Sequence, residues 1–405
     1  MTRWSVFSRK YRPGQTARVS RKKIFWSIII LATGAFLTWR MIRPMNIFVV
    51  TDAFAKPMAI TVPPEGVESL NASSCGKCHT ETYREWAGSM HASAWTDPYY
   101  QVDLIFDGNQ QICINCHSPL QNQQENLVLG FRDKERFKPI LKKNPDFDPE
   151  LQKEGVTCVV CHLRSGVIIG PYSDTEAPHP TRFDPSMVDG IGVCRKCHVV
   201  SGNRWDTFFR IPPCGTVSEI REGQTTSIDC TGCHMPAVRR PLVEGWQDRQ
   251  VRRHLWLGGH DKETVKNALQ AELEIIKNKN TREATLTLTN TGADHFLPTG
   301  TPDRHLTALF SLTGPAGKII KEKSYLLKRT IMWRPFIVDL WDTRLVKNTP
   351  EKFIFRWKSG LSDDSMLSVT VRYHLLDEKQ RKKIGYQNTS PISYPVFEQS
   401  IPPSN

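Results

Sequence analysis

Five copies of one pentad, Cys-x-x-Cys-His, constrain this chain more than any other feature. They are CGKCH at Cys75–His79, CINCH at Cys113–His117, CVVCH at Cys158–His162, CRKCH at Cys194–His198 and CTGCH at Cys230–His234. The pentads use ten of the eleven cysteines and leave only Cys214 apart, so no pairs remain for a disulfide framework. Two thiols three residues apart can each form a thioether to one vinyl group on the same porphyrin edge. The histidine that follows the second thioether then lies under the iron as its proximal ligand. The pattern therefore predicts five covalently bound hemes c. Their thioether links fall at Cys75 and Cys78, Cys113 and Cys116, Cys158 and Cys161, Cys194 and Cys197, and Cys230 and Cys233. The proximal ligands are His79, His117, His162, His198 and His234. Zinc ribbons also use Cys-x-x-Cys knuckles, but zinc takes four ligands per site, whereas each unit here carries its own trailing histidine.

Successive pentads begin 38, 45, 36 and 36 residues apart, with little shared sequence between them, so they form a cassette and not a solenoid. A cassette over 71–262 offers fewer than forty residues per heme. So little polypeptide cannot build a conventional core around each porphyrin. The hemes themselves are expected to be the core, packed together and wrapped by short helices and loops. Hemes packed in this way form an electron path.

Seven histidines lie outside the pentads: His91, His179, His254, His260, His295, His305 and His374. Five irons need five distal ligands if all are six-coordinate. His91, in WAGSMHASAW, reads as part of a helix starting at the first pentad. Twelve helical residues beyond His79 advance about 18 Å, so His91 is expected to ligate a neighbouring heme. His179 sits in the proline-flanked loop APHPTRF. His254 and His260 bracket HLWLGGH, where Gly258 and Gly259 allow a tight turn close to a porphyrin. His295, in TGADHFLPTG, is the preferred fifth candidate over His305, and His374 reads as a solvent-facing strand position. Met90 and Met235 read as packing. Cys214, in RIPPCGTV, reads as a small buried hydrophobe, or alternatively as an unusual ligand or reactive thiol.

The net charge of +13 resembles a nucleic-acid signature until it is located. Residues 1–23 hold eight Lys and Arg and no acid, which leaves +5 for the rest of the chain. About ten heme propionates would bring that remainder near neutrality or below, so no nucleic-acid partner is expected. Residues 24–42 follow as an apolar run, interrupted only by Arg40, suited to a transmembrane anchor. The basic tail at 1–23 places the N-terminus in the cytoplasm and the bulk of the chain outside. A cleaved signal peptide is the alternative. An Ala-x-Ala pattern at Ala53 and Ala55 lies about sixteen residues beyond the apolar run, too far for ordinary processing.

After a linker at 43–70 and the cassette, the texture changes. ELEIIKN, EATLTLTN, HLTALFSL, KIIKEKSYLL, KFIFRW and MLSVTVRYHLL alternate with period two and are punctuated by turn signals. Residues 263–390 are thus expected to form an antiparallel β-sandwich, and 391–405 a loose tail. The fold class is α+β: a single N-terminal transmembrane helix, a helical and loop pentaheme cassette, and a β domain.

The run CGKCHTETYREWAGSMHASAW resembles multiheme cytochromes related to the cytochrome c-554 type and to hydroxylamine oxidoreductase. There a first pentad is followed by a Trp and a Ser-x-His-Ala unit, here Trp86 and Ser89–Ala92. GVTCVVCH, CTGCHMP, HLWLGGHD and GADHFLPTGTPDR are similar to the same group. The resemblance implies stacked, mostly bis-histidine hemes and electron transfer, and supports His91, His254 and His260 as distal ligands. Some members catalyse redox chemistry of nitrogen compounds. Five pentads differ from the four or eight of the best-known members, and no Cys-x-x-Cys-Lys pentad of an ammonia-forming nitrite reductase is present. The expected function is a carrier between a membrane quinol-oxidising or periplasmic enzyme and a redox partner. The alternative is an oxidoreductase acting on a small nitrogen or sulfur compound at one open heme.

Overall fold

The computed structural model describes residues 20–42, 55–133, 136, 138–174, 176–198, 216, 219–220, 229–332, 338–361 and 365–402. Cys214 lies outside the described residues. The N-terminal segment and the body of the chain from residue 46 onward are separate compact units. The described residues of the first form an α-helix, Arg21–Ile42, of 22 residues. At 1.5 Å per residue it spans roughly 33 Å, against about 30 Å for a bilayer core. Phe25, Trp26, Ile28 and Leu31 are all exposed. It is long and apolar enough to cross a membrane, a test that a signal sequence also passes.

In the body, the described residues of 55–262 form short helices and small sheets. Antiparallel pairs form between Asn126–Phe131 and Pro139–Lys143, and between Ala237–Pro241 and Asp248–Arg252. Val167–Gly170 pairs antiparallel with Leu163–Arg164 and parallel with Thr181–Phe183. The apolar core here is small, built on Leu70, Leu120, Leu151, Val159, Val160 and Leu163. Buried amides hold much of the rest. Gln123, fully enclosed, donates from Nε2 to the carbonyls of Leu151 (2.8 Å) and Gly155 (2.7 Å) and accepts from Leu120 N at 2.9 Å. These side chains satisfy backbone groups that short elements leave unpaired.

The C-terminal part has a conventional core. A five-stranded sheet runs in the spatial order Val338–Asp342, Ile319–Met332, His305–Thr313, Met366–His374, Ser393–Ile401. A three-stranded sheet has the order Glu351–Lys358, Thr281–Asn290, Leu269–Lys277. All neighbouring strands are antiparallel. His305–Thr313 buries alternate residues, as a period of two requires. Its Phe310 stacks on Phe355 of the other sheet, with ring centres 5.4 Å apart, so the two sheets share one core. The strands expected from alternation all form. The tail is a correction: Ser393–Ile401 is an edge strand paired with Met366–His374. Pro395 lacks a ladder donor, but an edge strand with a bulge tolerates it, and the register shifts between Val371 and Arg372 where it pairs.

The helix Pro98–Phe106 joins the two halves. Tyr99 packs edge-on against Tyr386 at 6.1 Å, and Lys383 lies over the Phe106 ring at 5.2 Å. At this contact the Asp103 carboxyl is raised from 3.8 to about 6, chiefly by burial and then by Asp107 and Asp303, with Lys383 opposing. The folded state therefore holds this proton more tightly than the unfolded state. The site costs stability increasingly as pH rises from about 4 to about 6, and by a constant amount above that. Asp103→Asn is expected to raise the thermal midpoint at about pH 7.5 and to change it little at about pH 4. An equal shift at both pH values would assign the effect to packing.

Candidate heme-binding site

Four of the five pentads lie within a single helix each: Gln111–His117, Cys158–His162, Ile191–His198 and Cys230–His234. The first spans two helices, with Cys75 in the last turn of Ala72–Gly76, Cys78 in the turn that follows and His79 capping Thr80–Ala87. Helical geometry puts cysteines at i and i+3 on one face, as a shared porphyrin edge demands. Four of the five pentad histidines hold their rings through Nδ1 on a backbone carbonyl. These are His79 on Leu242 (3.3 Å), His117 on Ala94 (2.6 Å), His162 on Ile169 (2.9 Å) and His234 on Leu257 (3.2 Å). An imidazole that donates from Nδ1 keeps its Nε2 lone pair for a metal.

Four pentad histidines also face a second histidine. Ring centres lie 6.5 Å apart for His79–His179, 6.3 Å for His198–His91, 6.1 Å for His162–His254 and 6.3 Å for His234–His295. A metal ion bound by two opposed imidazoles at about 2.0–2.1 Å each separates their ring centres by roughly 6.3 Å. The residues fit the group that the pentads imply. The facing rings are prepared too: His254 donates from Nδ1 to Arg252 O and His295 to Phe296 O, both at 2.9 Å. Burial pushes His91 down to about 3 and His254 to about 4, and it lowers His162, His198 and His295 as well. All five are therefore neutral near pH 7, the ligating form.

His91 lies beside His198 of the fourth pentad, and it is carried there by a turn and not by a helix. Thr80–Ala87 ends at Gly88, and His91 lies in the turn beyond. Two contacts fix that turn against the lead-in to the third pentad: Val156 N donates to His91 O at 2.9 Å, and Trp86 Nε1 to Val156 O at 2.9 Å. Gly155 (φ +58°) is needed here, because a Cβ would come within 2.7 Å of the His91 carbonyl. His295 is pinned by Asn290, whose Nδ2 donates to His295 O at 2.9 Å.

Three histidines are placed otherwise. His260 faces no pentad histidine among the described residues; its Nε2 accepts from Arg304 Nη2 at 3.1 Å. His305 and His374 stack on each other at 4.2 Å, too close to hold an ion between them, and His374 Nε2 lies 2.9 Å from Thr307 Oγ1. His374 is thus half-buried, where the strand pattern pointed to solvent. The ring of His117 lies flat on Tyr100, 3.7 Å away and 1° from parallel, and no histidine ring faces it at ligating distance among the described residues.

The pentads are mutual neighbours. Cys75 lies beside Cys158, Cys116 beside Cys197 and Cys194 beside Cys230, which sets the first pentad next to the third, the second next to the fourth and the fourth next to the fifth. No group of three His, Cys, Asp or Glu side chains gathers as a metal-ion cluster among the described residues, unlike the convergence a zinc ribbon needs.

Sequence reasoning missed Glu85. Its carboxylate, 7% exposed, receives Arg240 Nη1 and Nη2 at 2.8 and 2.9 Å, Arg253 Nε at 2.8 Å and the backbone N of His254 at 2.9 Å. Burial works against its charge, but these donors hold the carboxyl down at about 2. The partners lie more than 150 residues away in the chain, so no local pattern could have revealed them.

Comparison with known proteins agrees with this site. Residues 74–163 match the family model described as cytochrome c554 and c-prime. No curated protein sequence matches the chain. Among solved structures, a penta-heme cytochrome c552 from Thermochromatium tepidum has the same fold, with a TM-score of 0.62 at 18% identity. The match covers 84% of this chain and 100% of that one. β-Glucosidase 3B from Thermotoga neapolitana aligns with a TM-score of 0.16 at 10% identity, over 34% of this chain and 16% of that one, and carries no argument. Residues 74–163 are thus similar to the cytochrome c554 and c-prime family, and the chain shares the fold of a protein described as a penta-heme cytochrome.

Proposed function

We propose that this protein is a membrane-anchored pentaheme cytochrome with its heme domain on the extracytoplasmic side. In this reading it carries electrons between a membrane or periplasmic donor, such as a quinol-oxidising complex, and a redox partner. The carrying observation is the set of four opposed imidazole pairs at 6.1–6.5 Å. Two histidines per site would hold a bound heme on both faces and leave no position for a substrate, which suits a conductor. Bound heme c supplies the one-electron ferric–ferrous couple. The chain fixes the imidazoles, keeps them neutral and sets neighbouring pentads side by side. The two sheets sharing the Phe310–Phe355 core serve as a β-sandwich that caps the cassette and contributes His295. The apolar helix Arg21–Ile42, behind its basic tail, is the anchor. The count of five rests on the five pentads and is supported by the fold shared with a protein described as penta-heme.

One observation favours a second reading: His117 stacks on Tyr100 and faces no histidine among the described residues. A heme on the second pentad would then keep an open axial position, where a small nitrogen or sulfur compound could react. Low-temperature EPR and ferrous carbon monoxide difference spectra, normalised to a pyridine hemochrome count, test both. Five hemes with at least four bis-imidazole low-spin signals are expected. Fewer than four such signals would overturn the carrier reading. Carbon monoxide binding to one heme supports the second reading, and none binding would remove it.

A further inference from the structure

The run His254–Leu257 meets histidines that belong to, or pair with, three pentads. His254 faces His162 of the third pentad at 6.1 Å. The Leu257 carbonyl accepts Nδ1 of His234, of the fifth pentad, at 3.2 Å. Between them, the Trp256 ring lies 4.6 Å from His91, which faces His198 of the fourth pentad, and 5.0 Å from His254. The indole meets His91 at 58° and stands edge-on to His254 at 87°. It therefore fills the space between the two non-pentad imidazoles and limits rotation of each.

The backbone is strained where this happens. Trp256 has φ +41°, in the left-handed region, which is a genuine outlier for a bulky side chain. Such strain persists only where the surroundings enforce it, typically at functional sites. The left-handed turn lets three successive groups point at three different sites: the His254 ring, the Trp256 indole and the Leu257 carbonyl.

We infer that Trp256 is a positioning residue that fixes the imidazole planes of His91 and His254, and so sets the axial geometry of two neighbouring hemes together. The inference rests on the reading that these imidazole pairs ligate heme iron. Groups that orient axial ligands tune the metal they hold, and the EPR anisotropy of a low-spin ferric heme depends on the angle between its two imidazole planes.

The test is EPR on the full-length holoprotein, with three tryptophan variants beside His91→Ala and His254→Ala. The two histidine variants identify the low-spin signals that belong to the fourth and third pentads. Trp256→Gly accepts the left-handed backbone and removes only the ring; it is expected to shift gmax of those two signals and to leave the His79–His179 signal unmoved. Trp256→Phe keeps an aromatic wedge and is expected to retain the wild-type positions. Trp256→Ala checks that loss of the ring, rather than the gain of glycine, causes the shift. If the wild type lacks these low-spin signals, the ligation reading fails. If it has them and Trp256→Gly moves neither, or moves all signals equally, the positioning role is refuted.

Discussion

Glu85→Ala is expected to lower unfolding stability by about 3 kcal/mol, at the lower end for breaking a buried ion pair by removing one partner. The lower end applies because the guanidinium partners are unequally enclosed: the Arg240 side chain is 18% exposed and that of Arg253 45%, so Arg253 can recover water. The variant also releases the backbone N of His254 and the hairpin that carries Arg240. Part of the low-spin signal from the His162–His254 pair should therefore convert to high-spin. Glu85→Gln keeps the shape and an acceptor for the His254 N–H but leaves two cations unbalanced near that site. It is expected to raise the midpoint potential of that heme, since added positive charge disfavours the ferric state. Redox titration separates the roles, because a carboxylate that acted only as a strut would leave the potential unchanged.

How much of this was legible in the sequence depended on how local the chemistry is. The pentads declare themselves because both thioethers and the proximal ligand must lie within five residues. His91, His179, His254 and His295 could be named as candidates from their surroundings. Which proximal histidine each would face could not, since the paired rings are 61 to 107 residues apart in sequence and only the tertiary fold brings them together. His260 shows the limit of reading spacing alone. Its symmetry with His254 across Gly258 and Gly259 suggested a second ligand, but the turn delivers it to Arg304, whose own position depends on the β domain. The strands were legible because alternate residues face a two-sheet core. The edge strand Ser393–Ile401 was not, because an edge tolerates the proline and serine that otherwise signal a loop. Buried charges left no sequence trace at all.

The second large effect is expected at Arg344. Its side chain is 5% exposed and lies beside Glu219, also 5% exposed, with Nη1 to Oε1 at 2.5 Å. Arg344 Nε donates to both oxygens of Asp342 at 2.9 and 3.0 Å, Nη1 donates to Pro298 O at 3.3 Å, and the guanidinium sits 5.1 Å from the Phe296 ring centre. Glu219 in turn receives Thr299 Oγ1 at 2.6 Å. These contacts clamp 296–299, the segment directly after His295, whose Nδ1 donates to Phe296 O. Arg344→Met would fill similar volume while leaving Glu219 buried and unpaired, at a cost of about 4 kcal/mol. The same change should weaken the low-spin signal of the His234–His295 pair, because the loop that presents His295 loses its anchor. Glu219→Gln combined with Arg344→Met removes both charges of the enclosed pair. The double variant is expected to recover about 2 kcal/mol of the single-variant loss, since an isolated buried charge is worse than none. Chemical denaturation of the four proteins in the cycle measures this coupling directly. Additive losses would show that Arg344 acts through Asp342 and Pro298 alone, and recovery of stability without recovery of the His295 signal would show that the clamp itself positions the ligand.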